Sequence, residues 1–275
     1  MREGLGRRTL LSWLILSPLL VVILFPFAVM IVTALKPATE VLSPHWVPSR
    51  LAWENFSGMW EATNFGPALL NSVLVSVLST LLALAVSIPA AYATSHYRFA
   101  GRSAFRQFLL VTQMLSPIVL VIGLFKLVVA LGLLDRVSSI ILVYGAFNVA
   151  FTVWMLQSYF ATIPKELEEA ARMEGASAWQ ALWRVFLPLA VPAIAVTAIF
   201  SFINAWNEFV IALTMLRRQE TYTLPIQIFS LVAGRYTVEW HHIMAATFVA
   251  TIPVAITFAW LQRYLVRGLA TGAVK

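Results

Sequence analysis

The chain has 275 residues, 60% of them hydrophobic and only 11% charged, where soluble domains average about 25% charged. That balance excludes an ordinary soluble enzyme and points to a chain that lives in a bilayer. The absence of cysteine excludes disulfides and thiolate metal sites, and the net charge of +7, which in a soluble chain would raise nucleic acid as a partner, belongs here to loops between apolar runs.

Arg2, Arg7 and Arg8 precede an apolar run from about Leu10 to Leu35. A secretory signal cleaved after V-T-A at Ala34 is the rival reading. The run is about twice the usual signal core of about 7 to 15 residues, so a retained anchor is expected. Lys36 to Pro67 is a polar loop containing Trp and Pro, with room for a short helix around Trp53 to Trp60. Further apolar runs span about Ala68–Ser95, Phe108–Leu131, Ile140–Phe160, Leu189–Leu216 and Ile243–Val266. A hydrocarbon core of about 30 Å takes about 20 helical residues, so each run is long enough to cross. In lipid the backbone must satisfy its own hydrogen bonds, and these runs are too long and too weakly alternating for barrel strands. The expected fold is therefore all-α, a polytopic bundle of six transmembrane helices. With no internal repeat, low-complexity tract or boundary, residues 1–275 read as one membrane domain.

Lysine and arginine set the orientation. With both termini inside, the inner segments carry twelve of them (Arg2, Arg7, Arg8, Arg98, Arg102, Arg106, Lys165, Arg172, Arg184, Arg263, Arg267, Lys275). The outer segments carry six (Lys36, Arg50, Arg136, Arg217, Arg218, Arg235), and Lys126 lies within a run, where snorkelling to the interface explains it better than a pathway role. The bias places both termini in the cytoplasm.

It also places there the only long charged segment, Pro164 to Pro188 within a loop of about 161–188. Pro164 suits a first helical turn, and Glu166, Glu168 and Glu169 sit at the positive end of the helix dipole. Gly175 is expected as a left-handed C-terminal cap, and Ser177 with Gln180 forms a capping box that starts a second helix. Trp179, Leu182, Trp183 and Phe186 then share one apolar stripe, and Pro188 marks the start of the next apolar run. An ordinary interhelical loop needs no such stripe; an apolar stripe outside the bilayer needs a partner to cover it.

Glu169-Ala170-Ala171, three residues, Gly175, nine residues, Val185, one residue, then Leu187-Pro188 resembles the EAA loop of binding-protein-dependent ABC importer permeases. Val185 stands where that pattern usually has Ile. The resemblance extends through P-A-A-Y-A (Pro89–Ala93), R-F-A-G-R (Arg98–Arg102), W-N-E-F (Trp206–Phe209) and the tail from Arg263 to Lys275. These strings are similar to the carbohydrate-uptake, maltose-type branch. The resemblance implies that Glu169, Ala170, Ala171, Gly175, Trp179, Leu182, Trp183, Leu187 and Pro188 couple to an ATPase, and that the tail approaches the ATPase pair.

The fifth run holds an intramembrane acid, Glu208, close to Asn204, Trp206 and Asn207. A carboxylate at mid-bilayer costs about 2.5 to 3.5 kcal/mol on insertion scales, so it needs a reason. Two readings stand side by side. One is interhelical hydrogen bonding near the interface. The other is a translocation lining, with Asn and Glu for sugar hydroxyls and Trp for the ring face. Gln113, Asn148 and Gln157 read as interhelical glue, and Pro117, Pro192 and Pro253 as places where spans bend.

There is no phosphate loop, no H-E-x-x-H and no G-x-S-x-G, so no catalytic or metal-binding residue is assigned; adjacent His241 and His242 would point apart on a helix. The expectation is a permease subunit in a prokaryotic inner membrane that passes a sugar by alternating access. It would work with a second permease, two copies of an ATPase chain holding ATP and Mg, and an extracytoplasmic binding protein, and without nucleic acid. A non-sugar solute such as a glycerol phosphate or phosphodiester is the alternative, and an ion-coupled carrier a more distant one.

Overall fold

A computed structural model describes residues 3–233 and 238–272, with side chains described for 13–233, 238–260 and 262. Of the charges that set the orientation, Arg2, Arg235 and Lys275 lie outside the described residues, as does the end of the basic tail. The described residues form helices and no strand. In order they are α1 (Glu3–Ala34), α2 (Glu54–Ala62), α3 (Phe65–His96), α4 (Arg102–Met114), α5 (Pro117–Ala130), α6 (Val137–Phe160), α7 (Glu166–Met173), α8 (Ala178–Ala181), α9 (Leu187–Asn207), α10 (Val210–Met215), α11 (Leu224–Val232) and α12 (Trp240–Gly272). Among the described residues, five helical stretches are long and apolar enough to cross a membrane, and six if the bent pair α4–α5 counts as one span.

Two compact units are described separately. The first comprises the described residues of Met1–Phe65 and Gln227–Ile252. The flank of α1 is almost bare of protein, with 6% of its most apolar window buried. Asn55 on α2 ties down the chain leaving α1, since its amide donates to the carbonyls of Ala34 and Lys36, both at 2.8 Å. The Gln227 amide donates to Thr63 O, and Phe56 meets Phe248 edge-on at 6.1 Å. The His241 and His242 rings do not point apart: their centroids are 4.2 Å from each other. His242 reaches Glu239 at 3.0 Å and fills the space a Cβ at Gly58 would need.

The second unit comprises the described residues of Gly66–Ile226 and Pro253–Lys275. Its α3 buries small polar and alanine side chains (Ser72, Ser76, Ser79, Ala83, Ser87, Ala91), the kind of face on which membrane helices approach closely. Two apolar clusters organise the unit. One joins Val75, Val128, Ile140, Tyr144, Ile211 and Met215; the other joins Tyr92, Val153, Leu156, Phe160, Leu182 and Phe186.

Three expectations from the apolar runs are corrected here. The run Phe108–Leu131 is not one straight span: α4 and α5 meet at 101°. Pro117 forces the residue before it out of the helical region, and Ser116 has φ −67° and ψ 133°. The run Leu189–Leu216 is not one helix either. It stops at Asn207, Glu208 is extended (φ −70°, ψ 128°), and α10 starts afresh. Nor is Pro188 a boundary. A five-residue π-helix, Leu182–Phe186, links α8 to α9, so the helix runs on from Ala178 to Asn207 over 30 residues. The wider π turn leaves room for the ring of Pro188, which would strike the carbonyl of Arg184 in a plain α-helix.

Candidate functional site

The charged loop folds as its local chemistry dictates. Gly175 has φ +83°, and the two bonds of a Schellman cap close α7, from Ala176 N to Ala171 O at 3.0 Å and from Gly175 N to Arg172 O at 2.9 Å. Ser177 and Gln180 form the reciprocal capping box that starts α8.

The apolar stripe divides. Leu182 and Phe186 are sealed into the chain's own cluster, with Phe186 5.0 Å from the Tyr92 ring and 4.5 Å from His96. Only Trp179 and Trp183 stay outside, 58% and 45% exposed, their rings 5.5 Å apart. Met173 (90% exposed) and half-exposed Leu167 extend the outer apolar surface, and Glu169, Ala170 and Gly175 are exposed beside it, with Ala171 half-buried. Leu187 is half-buried and Pro188 exposed.

Glu168 is the acid built into the fold. It is buried, and its Oε1 accepts from the Tyr97 hydroxyl at 2.8 Å and from Arg172 Nε and Nη2 at 3.2 and 2.8 Å. Arg172 also donates to the Tyr97 oxygen at 2.9 Å and lies over its ring at 5.5 Å. Hydrogen bonds to Tyr97, then to Glu168, push the Arg172 guanidinium above its ordinary value. This triad pins α7 to the chain just after α3. The sequence signal was available, because Glu168 and Arg172 stand at i and i+4 on one helix; Tyr97 carried no signal.

A cavity of about 320 Å³ opens where the two helix breaks meet α6. Its polar lining is Thr112, Gln113, Tyr144, Asn148, Asn204 and Glu208, with Phe147 and Phe151 among its apolar walls, and none of the lining residues is a Lys or Arg. Of the residues grouped at the end of the fifth run, Asn204 and Glu208 reach this cavity. Trp206 does not: it is buried, with its ring stacked on Phe202 at 5.6 Å. Asn207 is exposed and bonds back to Ile203 O at 3.0 Å. Glu208 works locally as a cap, accepting from the N–H groups of Ile211 and Ala212 at 2.9 and 3.2 Å and from the Tyr144 hydroxyl. Asn148 and Thr152 hold α6 to Ser201 of α9, at 3.4 and 3.2 Å.

Residues 83–271 match the family described as binding-protein-dependent transport system inner membrane component. The chain is 35% identical over 257 residues to the diacetylchitobiose uptake system permease protein DasC of Streptomyces coelicolor, covering 92% of each. It is 33% identical over 273 residues to the trehalose transport system permease protein SugB of Mycobacterium tuberculosis, covering 98% of this chain and all of that one. Among solved structures, a chain of a bacterial ABC transporter involved in the import of the acidic polysaccharide alginate superposes with a TM-score of 0.82 at 25% identity, covering 94% of this chain and 96% of that one.

Proposed function

The chain belongs to the family of binding-protein-dependent transport system inner membrane components, and we propose that it is one permease half of an ATP-driven importer that passes a sugar from an extracytoplasmic binding protein to the cytoplasm. The observation that carries this reading is the unbroken helix Ala178–Asn207. At one end it presents Trp179 and Trp183 to a partner, and near the other it presents Asn204 to the cavity. A displacement imposed on the charged loop is thereby delivered to the cavity wall, which is what alternating access requires.

The partner at the loop is an ATPase chain, present in two copies and holding ATP and Mg, and the second half of the path comes from a related permease. Lysine and arginine bias puts the loop on the cytoplasmic side. The cavity chemistry favours a sugar over a phosphodiester. Carboxamides and hydroxyls recognise a polyhydroxylated solute, whereas an anion would meet Glu208 with no cation among the lining residues.

The test is co-purification of the tagged chain with its partners, with solute uptake measured alongside. Glu169→Lys places a wrong-sign charge on the exposed face of α7, and Gly175→Pro destroys the left-handed cap. Both are expected to leave the chain inserted, to release the ATPase and to abolish uptake. Uptake that survives both substitutions, or a chain that purifies without any ATPase, would overturn the reading.

A further inference from the structure

In the first unit, the loop after α1 holds a buried lysine with no ion-pair contact among the described residues. Lys36 is 7% exposed, and its ammonium makes one hydrogen bond, to Ser43 O at 3.3 Å. Among the described residues no carboxylate lies within ion-pair distance of it. The nearby acid, Glu40, spends its carboxylate on the Ser49 N–H at 3.0 Å and on the Ser49 hydroxyl. An ammonium has three donors, and leaving them without acceptors away from bulk water is costly.

Lys36 lines a cavity of about 220 Å³ whose other walls include Val29, Val32, Thr33, His45 and Trp46. The valines are half-buried on α1, and Trp46 folds back to within 5.8 Å of the exposed Phe25 ring further along that helix. Beside the cavity, Leu42, Trp46 and Val47 are 87%, 61% and 81% exposed, apolar side chains of the kind that sit at a membrane interface. The cavity thus has a cation on one wall and exposed apolar side chains beside it.

We propose that this cavity is a phospholipid site. The headgroup phosphate accepts from Lys36, with the Thr33 hydroxyl and His45 alongside, and the acyl chains run down the α1 flank past Val29 and Phe25 under Trp46. A phosphodiester supplies the missing acceptors and charge, and the exposed apolar side chains take the apolar part, which a free anion lacks.

Native mass spectrometry of the full chain, purified in mild detergent and offered phosphatidylglycerol, a phosphate-free galactolipid or inorganic phosphate, tests this. The chain is expected to retain phosphatidylglycerol about fivefold better than the galactolipid, as befits one lysine on one lipid phosphate. Lys36→Met, which keeps the aliphatic stem, removes that preference; Lys36→Arg keeps it. Trp46→Ala, at an exposed position with little folding cost, weakens retention of both lipids. Equal retention of the two lipids by the unaltered chain would sink the proposal. So would an unchanged preference in Lys36→Met, or displacement of the lipid by inorganic phosphate at equal concentration, which would assign the site to a soluble anion. If Lys36→Met is not recovered, the lipid comparison on the unaltered chain and on Trp46→Ala decides alone.

Discussion

The Tyr97 hydroxyl donates to Glu168 at 2.8 Å across 71 positions of sequence, and through that bond the chain after α3 grips the first helix of the charged loop. Removing the hydroxyl should cost about 1 kcal/mol, and truncating the buried acid more, about 2 kcal/mol. Tyr97→Phe and Glu168→Ala are expected to lower the melting midpoint in detergent in that order and to slow uptake. Glu168→Gln, which keeps an acceptor, should lose less than Glu168→Ala. Equal losses for the two would show that the carboxylate's charge on Arg172, not its shape or a neutral acceptor, holds the loop.

Glu208 joins two jobs, capping α10 and receiving Tyr144. Glu208→Ala should destabilise by about 2 to 3 kcal/mol, the sum of a lost cap and a lost charge-assisted bond. Glu208→Gln should retain part of the cap. A cycle with Tyr144→Phe should give a coupling of about 1 kcal/mol; additive losses would mean that the two side chains act independently.

Asp135 has a left-handed backbone (φ 59°) and gathers the far loop. Its carboxylate accepts from the N–H groups of Arg217 and Arg218, from Arg218 Nε and from the Thr221 hydroxyl. Burial alone would raise its pKa, but these hydrogen bonds outweigh it and hold the group well below the usual carboxylate range. With the folded value below the unfolded value of about 3.9, the stabilisation is complete at neutral pH and begins to fade only as pH falls below about 4. Thermal melts from pH 7 to pH 3 should therefore separate Asp135→Asn from the unaltered chain at pH 7 and converge toward acid. Asn tolerates the left-handed backbone, so a constant gap at every pH would point away from the charge.

Gly145 is where α6 touches α3. A Cβ there would lie 2.6 Å from Leu82 Cδ2 and 3.4 Å from its Cβ, so Gly145→Ala should cost about 1 to 3 kcal/mol by overpacking. Leu82→Ala on its own opens a cavity, but the pair should recover most of the stability. A double substitution worse than the sum of its parts would show that the helices meet elsewhere.

Much of this was legible from local chemistry. Ser177, Gln180 and Gly175 act within one turn of chain, so their cap and corner could be read without knowing what lay nearby, and long apolar runs declare themselves by length. The misread stripe and acids have one cause, that sequence shows which face is apolar but not what covers it. Leu182 and Phe186 obeyed the same periodicity as Trp179 and Trp183, yet the aromatic cluster around Tyr92 covers two of the four and leaves two bare. Glu168 and Glu169 are neighbours in sequence but about 100° apart around a helix, and only the first turns toward Tyr97. Apolar composition on both sides of Ser116 and of Glu208 hid two helix breaks, because a proline within an apolar run bends one helix or separates two with equal ease, and because a carboxylate can end a helix as readily as sit in it.

The helix Ala178–Asn207 is about 45 Å long at 1.5 Å per residue. Pivoting about one end by about 10° would sweep the other by about 8 Å, roughly the spacing of two packed helices. On the proposed function, a modest displacement at the Trp179 and Trp183 end would be lengthened into a wider one at the cavity end. The π turn beside Pro188 lies close to the Trp179 and Trp183 end, so any compliance it adds acts at the short arm of that lever.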